Sequence, residues 1–238
     1  MNIKTKRSFF ILTTILIVSV LICVSSVYLS NALNSHITSD ITLKTILIDA
    51  GHGGIDGGAF ATDKTLEKDL NLQIAKKLEM MARDAGYNVV MTRKEDISIH
   101  DESADTVRKK KNSDLKNRLA ILENSNVDIM VSIHQNTYED KSVTGTQVFY
   151  SPNNEKSKTL AEAIKTSIKE NHQPENNKSA KKSGKNIFLL YKARKPAVIV
   201  ECGFLSNRGN TEKLKNENYQ NELCKAILAG IQNWDKTN

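Results

Sequence analysis

Cysteine is scarce in this chain. Its 238 residues include three cysteines, Cys23, Cys202 and Cys224. Three cysteines cannot build a disulfide framework, so we expect a fold that is held together by its own hydrophobic core. One bridge between Cys202 and Cys224 stays open from the sequence alone.

Aromatic residues and excess charge are also limited. Aromatic side chains make up 5% of the chain and charged ones 26%, a composition that excludes fibrous and disordered classes. The net charge is +7, but three basic residues precede residue 8, so the remainder is only mildly basic. That balance predicts a solvated, lysine-rich surface or one that holds an anionic polymer, and nucleic acid is not expected as a partner. The length suits one sizeable domain with a short appendage.

A long uncharged apolar run occurs near the N-terminus, at residues 8–29. It matches the roughly 20 residues that span a bilayer, whereas the apolar part of a cleaved signal peptide usually has about 7–15. We therefore predict that residues 1–30 form a signal anchor or signal peptide and that residues 8–29 contact the membrane. The basic residues before this run predict that the rest is exported, either membrane-anchored or secreted. Small residues at Ser30 and Ala32 leave cleavage open.

Apolar strand-like runs alternate with amphipathic helical ones in residues 44–238, after a polar linker at 31–43. This alternation predicts an α/β fold, a single three-layer domain in which a twisted, mostly parallel sheet is flanked by helices. The predicted strands are Thr45–Asp49, Asn88–Thr92, Val127–Ile133, Thr146–Tyr150, Ile187–Leu190 and Ala197–Glu201. The predicted helices are Leu66–Ala85, Asp114–Asn124, Asn154–Asn171 and Tyr219–Trp234, and His172–Lys185 is predicted to be a basic loop.

Polar residues stand where several of these apolar strands end. Asp49 to His52 follow the first strand, Ser132 to His134 end the third, and Glu201 ends the last. Ligands of a parallel sheet gather beyond the carboxyl ends of its strands. Two histidines and a glutamate are therefore expected to meet at one rim.

His52 lies in a loop with five glycines among eight positions, residues 51–58. Glycine allows positive φ angles and a close approach of the backbone to whatever occupies the site. A phosphate-binding turn or a purely structural turn would also use glycines. The loop has no Lys-Ser/Thr ending and does not fit the dinucleotide fingerprint, which weakens the phosphate alternative.

Glu67 opens the first long helix, next to the buried stripe marked by Leu70. A carboxylate in the first helical turn is favoured by the helix dipole in any case, so Glu67 alone is weak evidence. Together with His52 and His134, however, it completes two histidines and one carboxylate, the ligand set of a catalytic zinc site with a fourth position for water. Asn71, one turn further, is a candidate hydrogen-bond partner for a ligating carboxylate.

Glu201 ends a five-residue apolar strand, where a carboxylate has no evident structural purpose. Desolvation there would raise its pKa toward the range that suits a general base. Since successive strand residues point to opposite faces, Cys202 should face away from Glu201 and act as a small buried hydrophobe. The other histidines, His36, His100 and His172, are expected to be solvated.

The motifs that carry these residues occur in one order along the chain. They are ILIDAGHGGIDGGA at 46–59, EKDLNLQIAKKL at 67–78, MTRKED at 91–96, LKNRLAILENSNVDIMVSIHQN at 115–136 and KPAVIVECGFLSN at 195–207. In this order they resemble the zinc-dependent N-acetylmuramoyl-L-alanine amidases of the Amidase_3 family. The resemblance covers nearly everything after the linker.

The resemblance implies that His52, Glu67 and His134 are zinc ligands and that Glu201 is the catalytic glutamate. The implied substrate is peptidoglycan with peptide stems, cut between N-acetylmuramic acid and L-alanine. Gln135 follows the implied zinc ligand His134 at a position where the family commonly has a small residue. This difference is expected to alter the floor of the substrate groove beside the metal. The layout, one catalytic domain behind a membrane segment without wall-binding repeats, is most like the sporulation members of the family. It implies action on spore cortex toward muramic-δ-lactam, with an accessory protein possible.

Two other functions stay open at this point. One is a zinc peptidase that cuts within the peptidoglycan stem. The other is a non-catalytic, membrane-anchored peptidoglycan-binding protein on an amidase fold, although a binder has no need of Glu201. The basic run Lys178–Lys185 is expected to be a solvated face, and contact with a partner or the glycan is the alternative.

Overall fold

The structure is a computed structural model that describes residues 13–14, 16–28, 44–124 and 126–238. The chain divides into two units, residues 1–42 and 43–238. In the first unit residues 16–28 are helical. Among the helices described, none combines the length and the apolar character needed to cross a membrane. The predicted linker at 31–43 and His36 lie outside the described residues, as does part of the predicted membrane segment.

The described part of the second unit contains six strands and six helices. The strands are β1 Thr45–Ala50, β2 Asn88–Met91, β3 Ile129–Asn136, β4 Gln147–Tyr150, β5 Lys181–Lys182 and β6 Ala197–Phe204. The helices are α1 Glu67–Asp84, α2 Val107–Glu123, α3 Glu155–Asn171, α4 Phe188–Lys192, α5 Arg208–Lys215 and α6 Glu217–Asp235.

The six strands form one sheet in the order β2-β1-β3-β6-β4-β5. Strands β2, β1, β3 and β6 are mutually parallel, whereas β4 is antiparallel to β6 and parallel to the edge strand β5. Helices α1, α3 and α6 pack over one face of the sheet, and α2 and α4 pack over the other. The predicted α/β architecture with a mostly parallel sheet between helical layers is confirmed.

The periodic elements form for the reasons that the sequence indicates. In α1 the residues Leu70, Ile74 and Leu78 recur at helical spacing and are fully or almost fully buried. In β1 every residue from Ile46 to Ala50 is buried, as expected for a central strand of a sheet covered on both faces.

Two predicted elements in the second half of the chain are wrong, and one helix is additional to the prediction. The run Ile187–Leu190 is not a strand, because it enters the short helix α4, whose Leu189 and Leu190 are buried on the α2 face of the sheet. An apolar run of four residues has no resolvable period, so strand and helix cannot be told apart there. The predicted loop His172–Lys185 contains β5, and α5 was not predicted although Asn207 caps it by accepting a hydrogen bond from the backbone N–H of Asn210.

Helix α2 begins at Val107, seven residues before the predicted start at Asp114. Thr106 caps it by accepting a hydrogen bond from the backbone N–H of Lys109. The start was missed because the buried face of this helix is largely polar and includes Asp114 and Arg118, so it shows little hydrophobic periodicity.

The structure also decides the cysteine pair that the sequence left open and the surroundings of two histidines. Cys202 and Cys224 are free and buried, so no bridge joins them. His172 is not solvated: its ring packs against Tyr219 with centroids 4.4 Å apart, and burial lowers its pKa. His100 is half-buried, and its Nδ1 lies 2.9 Å from the Ser98 hydroxyl.

Candidate metal centre and active site

The glycine loop after β1 brings His52 to the rim of the sheet. His52 itself has φ of 60°, a left-handed conformation that is uncommon for a residue with a side chain. A Cβ at Gly51 would overlap the ring of His134 at the end of β3. Glycine at position 51 therefore lets the two histidine-bearing segments approach each other, and the ring centroids of His52 and His134 are 5.0 Å apart.

Glu67 is positioned by a reciprocal connection between this loop and the start of α1. Leu66 offers no side-chain cap, and the N–H groups of Glu67 and Lys68 donate to the carbonyls of Ala59 and Gly57 instead. In return the N–H of Ala59 donates to Glu67 Oε2 at 2.8 Å. The backbone N–H groups at the start of α1, which have no partner inside the helix, thus hold the loop against the carboxylate.

The Glu67 carboxylate lies between the two histidines. Its Oε1 is 3.2 Å from His52 Nε2 and 3.0 Å from His134 Nδ1. The side chain of Asn71 and the backbone N–H of Gln135 also donate to Oε1. One ligand atom from each of His52, Glu67 and His134 lies within 4.8 Å of the other two, so the three residues form a possible metal-binding site.

The electrostatics of this cluster favour a cation. Glu67 is 3% exposed, and although burial opposes its ionisation, the two histidines lower its pKa. Burial by itself would lower the pKa of His52, but the hydrogen bonds and charges of Asp56 and Glu67 raise that pKa to about 9. A divalent metal would therefore meet an ionised carboxylate at Glu67 and would have to displace a proton from His52.

Asp56 orients the His52 ring. Its Oδ2 lies 2.8 Å from His52 Nδ1, and its Oδ1 forms a 2.8 Å ion pair with Lys111 on α2. The hydrogen bond with His52 and the Lys111 charge lower the pKa of Asp56 despite its partial burial. A carboxylate on the second ring nitrogen leaves Nε2 of His52 facing the cluster, the usual arrangement behind a ligating histidine.

Two buried arginines hold the backbone that carries His52. Arg118 donates to the carbonyls of Ala50 and His52 at 2.9 and 2.7 Å. Arg93 donates to the carbonyls of Ala50 and Gly51 at 2.9 and 3.0 Å. Both side chains are almost fully buried, and both supply donors to carbonyl groups where β1 ends and the glycine loop begins.

The Arg118 charge is neutralised by two carboxylates beneath the rim. Its guanidinium pairs with Asp49 at the end of β1 and with Asp114 on its own helix, each at 2.5 Å. Burial alone would raise the pKa of Asp49, but the Arg118 charge lowers it to about 2. Ser132 on β3 donates to the same carboxylate. The network therefore joins β1, β3 and α2 directly below the metal-binding cluster.

Glu201 lies beside the cluster on the neighbouring strand. It is the register partner of His134, so the two side chains project from the same face of adjacent strands. Its Oε2 is buried and has no hydrogen-bond partner among the described residues. Burial raises the pKa of Glu201 to about 7, in the range of a general base. Cys202 is fully buried, as expected if it faces the opposite side, and burial raises the pKa of its thiol.

A cleft of about 290 Å³ opens above these residues. His52, His134 and Glu201 line its floor. Leu115 of α2 and Phe188 of α4 contribute apolar walls. The cleft can therefore hold a substrate against the metal-binding cluster and the unpartnered carboxylate at the same time.

The structure brings the sequence candidates together at one rim, and it adds residues that sequence reasoning missed. These additions are Asp56, Arg93 and Arg118, which lie within the motifs at 46–59, 91–96 and 115–136. A carboxylate four residues after His52 was a usable signal for Asp56. Nothing in the local sequence indicates that Arg93 and Arg118 fold back onto the same turn.

Comparisons with known proteins agree with this geometry. The family model of N-acetylmuramoyl-L-alanine amidase matches residues 46–233. The germination-specific N-acetylmuramoyl-L-alanine amidase of Bacillus subtilis is 31% identical over 188 residues, which cover 79% of this chain and 78% of that protein.

Solved amidase structures are similar as well. The CwlD amidase from Clostridioides difficile, determined in complex with the GerS lipoprotein, is 42% identical with a TM-score of 0.78, covering 82% of this chain and 100% of that one. The amidase AmiC2 of Nostoc punctiforme is 29% identical with a TM-score of 0.69, covering 81% of this chain and 97% of that one. The chain therefore belongs to the N-acetylmuramoyl-L-alanine amidases, enzymes that act on peptidoglycan.

Proposed function

We propose that this chain is a zinc-dependent amidase in which His52, Glu67 and His134 hold the metal and Glu201 is the general base. The observation that supports it best is the convergence of three ligand atoms within 4.8 Å, beside a buried carboxylate oxygen that has no partner among the described residues. Two histidines and one carboxylate suit zinc, with a further position left for water or substrate. When bound, zinc supplies a Lewis acid that polarises a carbonyl and acidifies water.

The residues of the chain perform the proton transfers in this proposal. Glu201 accepts the proton of the attacking water, and its burial keeps its pKa high enough for that step. It then returns the proton to the departing amine of L-alanine, while the carbonyl of the lactyl group becomes a free carboxylate. Asp56 and Arg118 keep the ring and the backbone of His52 in place during the reaction.

The biological setting is inferred from the relatives. We infer that the substrate is spore-cortex peptidoglycan, from which removal of stem peptides leads toward muramic-δ-lactam. The name of the germination-specific Bacillus subtilis relative supports this role. The CwlD structure contains a lipoprotein, which supports an accessory protein for this chain too. Action outside the cytoplasm follows from the substrate, with residues 8–29 as the proposed membrane contact.

Product analysis tests the reaction directly. Purified protein with zinc should release peptides that begin with L-alanine from peptidoglycan and leave unsubstituted muramic acid, as measured by mass spectrometry. Shortened stems that remain on muramic acid would instead identify a peptidase that cuts within the stem. Binding to peptidoglycan without any product would identify a non-catalytic binding protein.

A glycine substitution tests the metal ligands without removing one. Gly58 has φ of 68°, and an added Cβ would lie 2.5 Å from Glu67 Oε2 and 2.8 Å from His52 Cδ2. Gly58→Ala should therefore displace the carboxylate and lower zinc retention after dialysis about tenfold, an order of magnitude typical for disturbed ligand support.

Gly57→Ala is the matched control for this experiment. A Cβ at Gly57 meets only Leu66, at an ordinary 3.8 Å. It should leave both zinc content and melting temperature close to wild type. Equal zinc retention in the two variants would contradict the assigned ligand set.

A further inference from the structure

A second groove lies over β4 and β5, on the sheet face that carries Glu201. It has a volume of about 290 Å³, and its lining includes Gln147 and Phe149 of β4, Lys181 of β5, Lys178, Tyr138 and Phe204. We call it the basic groove. Gln147 is the register partner of Glu201, so the groove begins one strand beyond the proposed general base.

The strand register also gives the distance between the backbone of Lys181 and that of Glu201. Lys181 pairs with Phe149, which lies two residues from Gln147 on the same face of β4. Strands are about 4.8 Å apart and rise about 3.3 Å per residue, so the backbone of Lys181 lies roughly 12 Å from that of Glu201. The flexible four-carbon side chain of lysine can cover part of this distance.

Two lysines, Lys178 and Lys181, bring positive charge to the groove. Lys178 lies over the ring of Phe204 at 5.5 Å and donates to the carbonyl of Thr144. Burial and the Lys181 charge lower the pKa of Lys178, so the two cations act on each other. No Asp or Glu is among the described residues that line the groove.

We propose that the basic groove binds a free carboxylate of the peptide stem, carried by the second residue beyond the scissile amide, an inference that rests on the proposed amidase function. An extended peptide advances about 3.3–3.6 Å per residue. A carboxylate on the second residue therefore lies about 7 Å or more from the amide, within reach of Lys181. The groove then makes the enzyme selective for stems whose second residue carries a free carboxylate.

Two synthetic muramoyl dipeptides test this inference. They are identical except that the second residue carries either a free α-carboxylate or the carboxamide. Wild type should cleave the acid with a kcat/KM about fivefold higher than the amide, a ratio typical of one partly exposed ion pair. Lys181→Gln should bring this ratio close to one.

Lys182→Gln is the matched control. Lys182 is the next residue of the same strand, is also exposed, and pairs with Tyr150 on the other face. It should keep the wild-type ratio. A preference that survives in Lys181→Gln, or that is lost equally in Lys182→Gln, would overturn the inference.

Binding measurements test the carboxylate site independently of the amidase reaction. The affinities of both dipeptides for Glu201→Gln protein, measured by calorimetry, should show the same preference, and a Lys181→Gln/Glu201→Gln double variant should lack it. If wild type cleaves neither dipeptide while the affinity ratio persists, the amidase proposal fails and the carboxylate site stands. Equal affinities for the two dipeptides reject the site whatever the reaction is.

Discussion

Replacing Glu201 with glutamine should lower kcat about a thousandfold while the protein keeps its fold and its zinc. Glutamine has nearly the same shape, so the buried pocket beside His134 remains filled, but it cannot accept the proton of water. Loss of a general base typically costs between about 10² and 10⁴ in rate. Glu201 is not part of the three-residue cluster, so zinc content should be unchanged. The measurements are kcat on a muramoyl peptide and zinc per protein molecule.

The pH dependence gives this prediction a second readout. The unprotonated carboxylate is the active form, so wild-type kcat/KM should fall as the pH decreases through the pKa of Glu201. Burial raises that pKa to about 7, and a bound metal cation would lower it again, so the acid limb should lie at or below about pH 7. At pH values where zinc stays bound, the limb should be absent from the residual activity of Glu201→Gln.

Glu139→Gln is the control for Glu201→Gln, because Glu139 is an exposed carboxylate that follows β3. It should keep wild-type activity and the same pH profile. A Glu201→Gln protein that retains zinc and still turns over within about tenfold of wild type would remove Glu201 from the mechanism.

Replacing Arg118 with methionine should lower the free energy of unfolding by about 3–5 kcal/mol, the usual cost of removing one partner of a buried ion pair. Methionine can fill much of the space, but Asp49 and Asp114 would lose their buried counter-ion. The carbonyls of Ala50 and His52 would lose their donor as well. The measurements are urea unfolding and zinc retention, and both should decrease, since the same side chain supports the core and the turn of His52.

Arg108→Met is the matched control, since Arg108 is exposed on the same helix and the substitution should change stability by less than about 0.5 kcal/mol. If Arg118→Met does not fold, the double variant Arg118→Met/Asp49→Asn removes one stranded charge and should recover part of the stability. A loss below about 1 kcal/mol in Arg118→Met would show that the network contributes little to the fold.

The sequence was sufficient for the elements that have a clear hydrophobic period. The stripe of α1 and the buried runs of β1, β3 and β6 predicted the alternation of strands and helices, and therefore the mostly parallel sheet. The sequence was insufficient where the buried face of a helix is polar, as in α2, and where an apolar run is too short to show a period, as at Ile187–Leu190. Periodicity reports the burial of apolar side chains, and it carries no signal when arginine and aspartate occupy the interior.

The sequence by itself determined the chemistry of the rim, because the ends of parallel strands meet at one edge whatever the rest of the chain does. His52, His134 and Glu201 were therefore predictable as neighbours, and Glu67 as a candidate beside them. Only the tertiary structure decided that the Glu67 carboxylate lies between the two histidines and that Arg93 and Arg118 hold the turn from below. These contacts join residues far apart in the chain, and their geometry depends on how helices pack against the sheet, which no local pattern encodes.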